Sequence, residues 1–329
     1  MIRSFVFKNG KLVSQDLQPE MLRLVLYDED VQIWVDLDSS TPEEAKSILE
    51  VVFNFHPLAI EDCLTVSELP KVDEYEGYIF LVIHAVDYSA HVFQTTECDL
   101  FIGKNFLVSY HHVPLKSMAA VIDRVTKSPA AAARAPDRLA YTILQMILEN
   151  YDPALADLSK DFAALDRDVM TQQTPEFLNR VMGLQAEVQR LRQIIAPQRA
   201  VIARVAHGEF RIVRAHLLPY FRDLQDRLTR INERADGYRD SLNSLLQVHL
   251  GIQQMQANHV IKALTLLATL SMPLIVITSF YGMNLSHYPP IVNDEARTWP
   301  WWWAYVWVFG VSALLTAWIY GWLRRKRWT

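Results

Sequence analysis

Apolar positions along this chain follow three successive patterns, and the changes of pattern divide it. Over the first third, short apolar runs sit between turn residues. Residues 4–7 and 11–14 flank Asn9-Gly10, a pair that tolerates positive φ and so predicts a two-residue hairpin turn. Residues 31–37 (Val-Gln-Ile-Trp-Val-Asp-Leu) alternate at period two and predict a strand. The run Asp38 to Glu44 supplies an N-cap, a proline in the first turn and early acids, which predicts a helix to about Phe53. A second short helix is predicted over 58–64, after His56-Pro57. Residues 78–87 and 99–110 are rich in β-branched and aromatic types and predict buried strands. Strands interrupted by helices make residues 1–135 an α/β domain.

From about Pro136 the period changes to that of a helix. Residues 138–170 carry apolar positions at helical spacing without a glycine, predicting one long amphipathic helix. Thr174-Pro175-Glu176 ends it and caps another that runs to about Ala206, so residues 136–218 are expected to hold an antiparallel helical pair. Pro219 opens the longest element. No proline follows until Pro273, and glycine appears only at Gly237 and Gly251 before Tyr281. A helix over 219–281 is roughly 90 Å long at ~1.5 Å per residue, far more than a compact domain uses.

The third pattern is unbroken apolarity. Residues 263–281 and 300–323 form uncharged runs of 19 and 24 residues, each able to cross a hydrocarbon core of about 30 Å. Trp299, Trp301, Trp302 and Trp303 cluster at one end of the second run and Arg324-Arg325-Lys326-Arg327 closes the other, an aromatic belt and a basic flank. The basic block places the C-terminus inside, and two spans place the N-terminal body inside as well. Residues 282–299 form the outer loop, with Asp294 and Glu295 against one Arg297, and 324–329 form a basic cytoplasmic tail. The expected location is the inner (plasma) membrane with both termini cytoplasmic.

Composition adds exclusions. A net charge of −5 gives no global basic field for nucleic acid. Two cysteines, Cys63 and Cys98, lack a CxxC spacing and suit a reducing compartment. The N-terminus has no apolar run long enough for a secretory signal. No phosphate loop, zinc-protease helix or nucleophile elbow is present, so no enzyme is predicted. The histidines show no zinc-ligand spacing. The acids over 157–168 are expected to form a solvated helix face.

Two spans cannot enclose a water-filled path within one chain, so transport requires an oligomer. Steps of seven back from Ser279 reach Met272, Thr265 and Asn258, with Ile275 among the intermediate steps. This stripe is polar or small at the cytoplasmic end and apolar at bilayer depth. Periodicity leaves two readings open, close helix packing and a pore with a hydrophobic constriction. Gly282-Met283-Asn284 follows the first span. A glycine there commonly caps a helix, while a ring of asparagine amide oxygens suits a hydrated cation such as Mg²⁺, which keeps its waters reluctantly exchanged.

The stretch Tyr281-Gly-Met-Asn284 resembles the signature of the CorA family of magnesium and cobalt transport channels. Similar segments run through nearly the whole chain: His56 to Leu64, Pro70 to Gly77, Gly103-Lys-Asn-Phe106, Pro219-Tyr-Phe-Arg-Asp223, Tyr238-Arg-Asp240, residues 263–273 and the basic tail. The resemblance implies a homopentameric funnel of long helices and no permanently bound cofactor. Its cargo is a divalent cation, Mg²⁺ first, with Co²⁺, Ni²⁺ or Zn²⁺ as alternatives. By resemblance, Gly282, Met283 and Asn284 form the selectivity filter, and Met272, Leu264 and Asn258 line the constriction and its entrance. Asp223, with Asp87 as partner, would form a regulatory metal site between subunits. Arg324, Arg325, Lys326 and Arg327 would form a basic collar.

The chain departs from that family pattern in three places. His287-Tyr-Pro-Pro-Ile291 replaces a segment with an acid after its proline, Gln247 stands where an aspartate ring is common, and the residues after Asp87 lack an acidic run. These losses of acid favour a zinc-transporting branch of the ZntB kind, proton-coupled, as the alternative; the intact Met283 argues for magnesium. A reading of another class is a membrane-anchored coiled-coil interaction protein, which predicts no ion flux.

Overall fold

A seven-stranded sheet organises the N-terminal unit of the computed structural model, which describes residues 1–28, 30–67, 69–129, 135–170, 175–282 and 302–325. The chain separates into two units, Met1–Gln247 and the residues from Val248 onward. The strands are β1 (Ile2–Lys8), β2 (Lys11–Gln15), β3 (Val31–Asp38), β4 (Lys71–Tyr75), β5 (Tyr78–Ser89), β6 (Val92–Gly103) and β7 (Phe106–His111). Their order is β2-β1-β3-β7-β6-β5-β4, with β3 and β7 parallel and the other neighbours antiparallel. The predicted hairpin is present: Asn9 and Gly10 adopt φ of 52° and 72° between β1 and β2.

Strand alternation sends side chains into two cores, one on each sheet face. Phe5, Phe7, Trp34, Leu81 and Leu100 point to one face, and Val6, Ile33, Val35, Phe80 and Phe101 to the other. The second face is covered by α1 (Pro19–Val25), α2 (Pro42–Lys46) with a π-helical turn (Ser47–Val52), and α3 (Pro57–Leu64). Thr41 and Glu44 cap α2 reciprocally: the Thr41 hydroxyl accepts from the Glu44 N–H at 3.3 Å and the Glu44 carboxylate from the Thr41 N–H at 3.2 Å. The first face is covered by α4 (Lys116–Lys127), α5 (Pro136–Glu149), α6 (Tyr151–Asp168), α7 (Pro175–Ala206) and the first part of α8 (Leu218–Gly282). Truncating one of these core leucines to alanine costs about 2–5 kcal/mol.

The structure corrects several boundaries. Residues 99–110 are two strands, because the chain turns at Lys104-Asn105. Gly103 permits this turn: a Cβ there would lie 2.3 Å from the Phe106 ring. The predicted helix over 138–170 is two helices, with Asn150 as the C-cap of α5. Pro153 explains the break, since its ring has no N–H to bond and clashes with the carbonyl four residues earlier. The helix to Phe53 is α-helical only to Lys46 and π-helical beyond. Three short elements without a strong pattern, α1, β4 and α4, escape sequence reading. The predicted cap at Thr174 lies outside the described residues.

The second unit holds the C-terminal part of α8 and α9 (Trp303–Arg325), both long and apolar enough to cross a membrane. Their most apolar windows are 6% and 11% buried within the chain. Leu266, Thr269, Leu270, Ser271, Pro273 and Ile277 are the partly or fully covered positions of this stretch of α8. The Thr316 hydroxyl of α9 donates to the Leu270 carbonyl at 3.3 Å.

Candidate functional site

Helical geometry places the predicted stripe of α8 away from α9. At about 100° per residue, Leu266, Leu270, Pro273 and Ile277 share one face. Ile261, Leu264, Ala268, Met272, Ile275 and Ser279 fall on the opposite side, with Asn258 and Thr265 at its edge. All of these are exposed within the chain; Met272 and Leu264 are 62% and 67% exposed. A membrane helix that leaves such a stripe open presents it to lipid, to other chains or to a water path.

The chemistry of the stripe changes with depth. At its N-terminal end Gln254 donates to the Asn258 side-chain oxygen at 3.3 Å, so that oxygen is already oriented by its neighbour one turn earlier. The Thr265 hydroxyl donates to the Ile261 carbonyl at 2.8 Å, which leaves only its acceptor lone pairs outward. Leu264, Met272 and Ile275 then form an apolar band without a charge. Pro273 interrupts the helical hydrogen bonding at this level by removing the bond to Thr269. Ser279 restores a hydroxyl one turn before the end of the helix.

Gly282 is the last helical residue of α8 and does not take the left-handed conformation expected of a capping glycine. A Cβ built on it meets nothing within 4 Å. Met283 and Asn284, the loop with Asp294 and Glu295, and the tail residues Lys326 and Arg327 lie outside the described residues. Arg324 and Arg325 end α9 and are exposed.

Asp223 is exposed on the second turn of α8, and its charge helps raise the Tyr141 phenol, whose main cause of shift is burial. Asp87 lies near the end of β5 and faces Lys116 of α4 at 3.6 Å. Sequence reading missed this lysine, because only the fold brings α4 beside β5. Among the described residues no group of three or more histidines, cysteines or acids could hold a metal. His111 is buried between Asp36 and Asp38, and His249 is buried beside Gln253, so both are packed side chains.

The chain matches the family described as CorA-like Mg²⁺ transporter protein over residues 29–325. The chain belongs to the CorA family. It is similar to the protein YfjQ of Bacillus subtilis, 28% identical over 296 residues and 90% of each chain. It is also similar to the cobalt/magnesium transport protein CorA of Thermotoga maritima, 26% identical over 304 residues, covering 92% of this chain and 84% of the other. The complete structure of the CorA magnesium transporter from Methanocaldococcus jannaschii shares the fold, with a TM-score of 0.80 at 19% identity over 99% of this chain and 98% of that one. Membership of the CorA family assigns the chain to divalent metal ion transport, and not to an enzyme class. It also accounts for an N-terminal α/β domain followed by long helices and two C-terminal membrane helices.

Proposed function

We propose that this chain forms a homopentameric channel for Mg²⁺ uptake, tolerating Co²⁺ and Ni²⁺, in the inner membrane with both termini cytoplasmic. The observation that carries the reading is the open stripe of α8, which lies opposite α9 and runs from Asn258 through Met272 to Ser279. Five such stripes around an axis would give an entrance with amide groups, an apolar constriction and a hydroxyl-lined outer end. The constriction has no fixed charge, so conduction is gated by wetting of the Met272 level and not by a bound side chain. Gly282 has open space where a side chain would stand, which suits a crowded ring of symmetry copies, and Asn284 is assigned to the ring that holds the hydrated ion.

Entry needs no coupled energy source under this reading. A divalent charge gains about 4.6 kcal/mol per 100 mV of inside-negative potential. Asp223 and Asp87 keep their place as a pair across the subunit interface, where two carboxylates repel until a divalent ion bridges them. The Lys116 ammonium beside Asp87 supplies part of that neutralisation already, so metal sensing is expected to be weak.

The test is flux into liposomes with Mg²⁺ and Zn²⁺ separately, each with and without a proton gradient. The proposal expects Mg²⁺ entry that follows the membrane potential and is indifferent to the proton gradient. Zn²⁺ entry that rises with the gradient, with no Mg²⁺ entry, selects the zinc branch. Properly folded protein that moves neither ion returns the chain to an interaction role.

A further inference from the structure

The two spans flank an open groove of about 590 Å³ within the membrane unit. Leu270 and Leu274 form its α8 wall. On α9 its floor is Ala313 and Ala317, flanked by Phe309 and Tyr320. Two of the hydroxyls in it are turned to backbone: Ser312 donates to Val308 at 2.7 Å and Thr316 to Leu270 at 3.3 Å, while Ser271 and Tyr320 complete the polar part of the lining. The surface offered is therefore mostly apolar, along an open groove whose volume is in the range of a small-ligand site.

The level of the groove follows from its ends. Tyr320 and Trp322 precede Arg324 and Arg325, an aromatic and basic pair of rings that marks the membrane–water boundary. The stretch from Phe309 to Tyr320 rises roughly 16 Å, about half of a ~30 Å hydrocarbon core. Arg324 lies four residues beyond Tyr320, on the same face and one turn nearer water. Both arginines are exposed, and neither forms an ion pair among the described residues.

We infer that this groove is a binding site for an anionic phospholipid. One acyl chain lies on Ala313 and Ala317 between Phe309 and Tyr320, and the phosphate meets Arg324, with the Arg325 charge one residue further at the same boundary. Charge decides between this occupant and a second copy of the chain. A second α9 at the same level brings its own two arginines to the same boundary, adding like charge, whereas an anionic headgroup neutralises them. A basic pocket between membrane helices at the cytoplasmic boundary is a recurring form of anionic lipid recognition.

The inference needs the two spans but not the identity of the transported ion, so its test is independent of flux. Full-length protein in detergent is exposed to phosphatidylglycerol or phosphatidylcholine and its retained lipid is read by native mass spectrometry. Phosphatidylglycerol is expected to be retained several-fold more than phosphatidylcholine. Arg324→Gln with Arg325→Gln, exposed changes that leave packing intact, should bring the two lipids to equal retention. Ala317→Trp should lower phosphatidylglycerol retention several-fold without changing the oligomer. Equal retention of both lipids by the natural protein would overturn the proposal. So would retention that survives Ala317→Trp, or an oligomer that Ala317→Trp dissociates, which would make the groove the seat of a neighbouring helix.

Discussion

The backbone N–H of His84 donates to the side-chain oxygen of Gln198 at 3.0 Å, a bond between residues 114 apart in sequence. It closes a ring: the Gln198 amide donates to the Tyr151 hydroxyl at 3.2 Å, and that hydroxyl donates to the His84 carbonyl at 2.8 Å. All three side chains are buried, so β5, α6 and α7 are joined through groups that water cannot satisfy.

Breaking this ring from the Gln198 side should be costly. Gln198→Leu strands the His84 N–H, a loss of about 1–3 kcal/mol, and removes the donor to the Tyr151 hydroxyl, which keeps its own bond to the His84 carbonyl. Thermal unfolding of the full-length protein in detergent measures it. Gln198→Leu is expected to lower the midpoint clearly, and an unchanged midpoint would show the ring to be dispensable.

Glu97 and Asp99 set a pH dependence. Asp99 is fully buried, and burial, then the charge of Glu97, push its carboxyl well above the usual range. Glu97 is raised as well, chiefly by burial, although the Ser67 N–H donates to it at 2.7 Å. Cys63 and Lys71 are the other titratable groups facing Asp99. An acid whose folded pKa exceeds its unfolded one binds more protons when folded. Its contribution is therefore fully present below the ordinary aspartate range and is lost as pH rises toward the raised folded value. His111, also raised by Asp36 against its burial, acts with the same sign, and His84, lowered by burial, with the opposite one. Comparison of the natural protein with Asp99→Asn isolates the carboxyl. The unfolding midpoint of the natural protein should fall more steeply as pH rises above about 4, and equal slopes would exclude this role.

The β5–β6 turn carries strain that a substitution can relieve. Ala90 and His91 adopt φ of 51° and 66°, the left-handed region at both central positions of a tight hairpin turn. The His91 ring meets Asp161 at 2.7 Å, which holds the turn against α6. Ala90→Gly is expected to stabilise the protein by about 1 kcal/mol, since glycine enters this region without the Cβ clash that costs alanine 1–2 kcal/mol. A lower unfolding midpoint would contradict this.

Much of the fold was legible because its elements carry strong patterns. The Asn9-Gly10 hairpin, the alternation in β3, the run of β5 and the proline-bounded α8 were each specified locally. The misreadings have local causes too. Gly103 was read as part of a strand because its close approach to Phe106 exists only once the chain has turned. Pro153 was outweighed by the apolar spacing around it, although it is sufficient to separate α5 from α6. The stripe from Asn258 to Ser279 was visible as a heptad, but its relation to α9 was not. Sequence alone leaves packing and lining equivalent, whereas the structure shows Leu266, Leu270, Pro273 and Ile277 taking the packing role on the other face. The pairing of Asp87 with Lys116 depends on the meeting of β5 and α4, which no spacing encodes.

The most direct measurement of the central claim is thiol block of ion flux at single positions on the two faces of α8. Cys63 and Cys98 are both fully buried, so the natural protein provides a silent background. Met272→Cys and Leu270→Cys are reconstituted in liposomes, and Mg²⁺ entry is followed before and after a water-soluble cationic thiol reagent. The account predicts that the reagent blocks flux through Met272→Cys and leaves Leu270→Cys unchanged. Block at Leu270→Cys with none at Met272→Cys would place the ion path on the other side of the helix and contradict it.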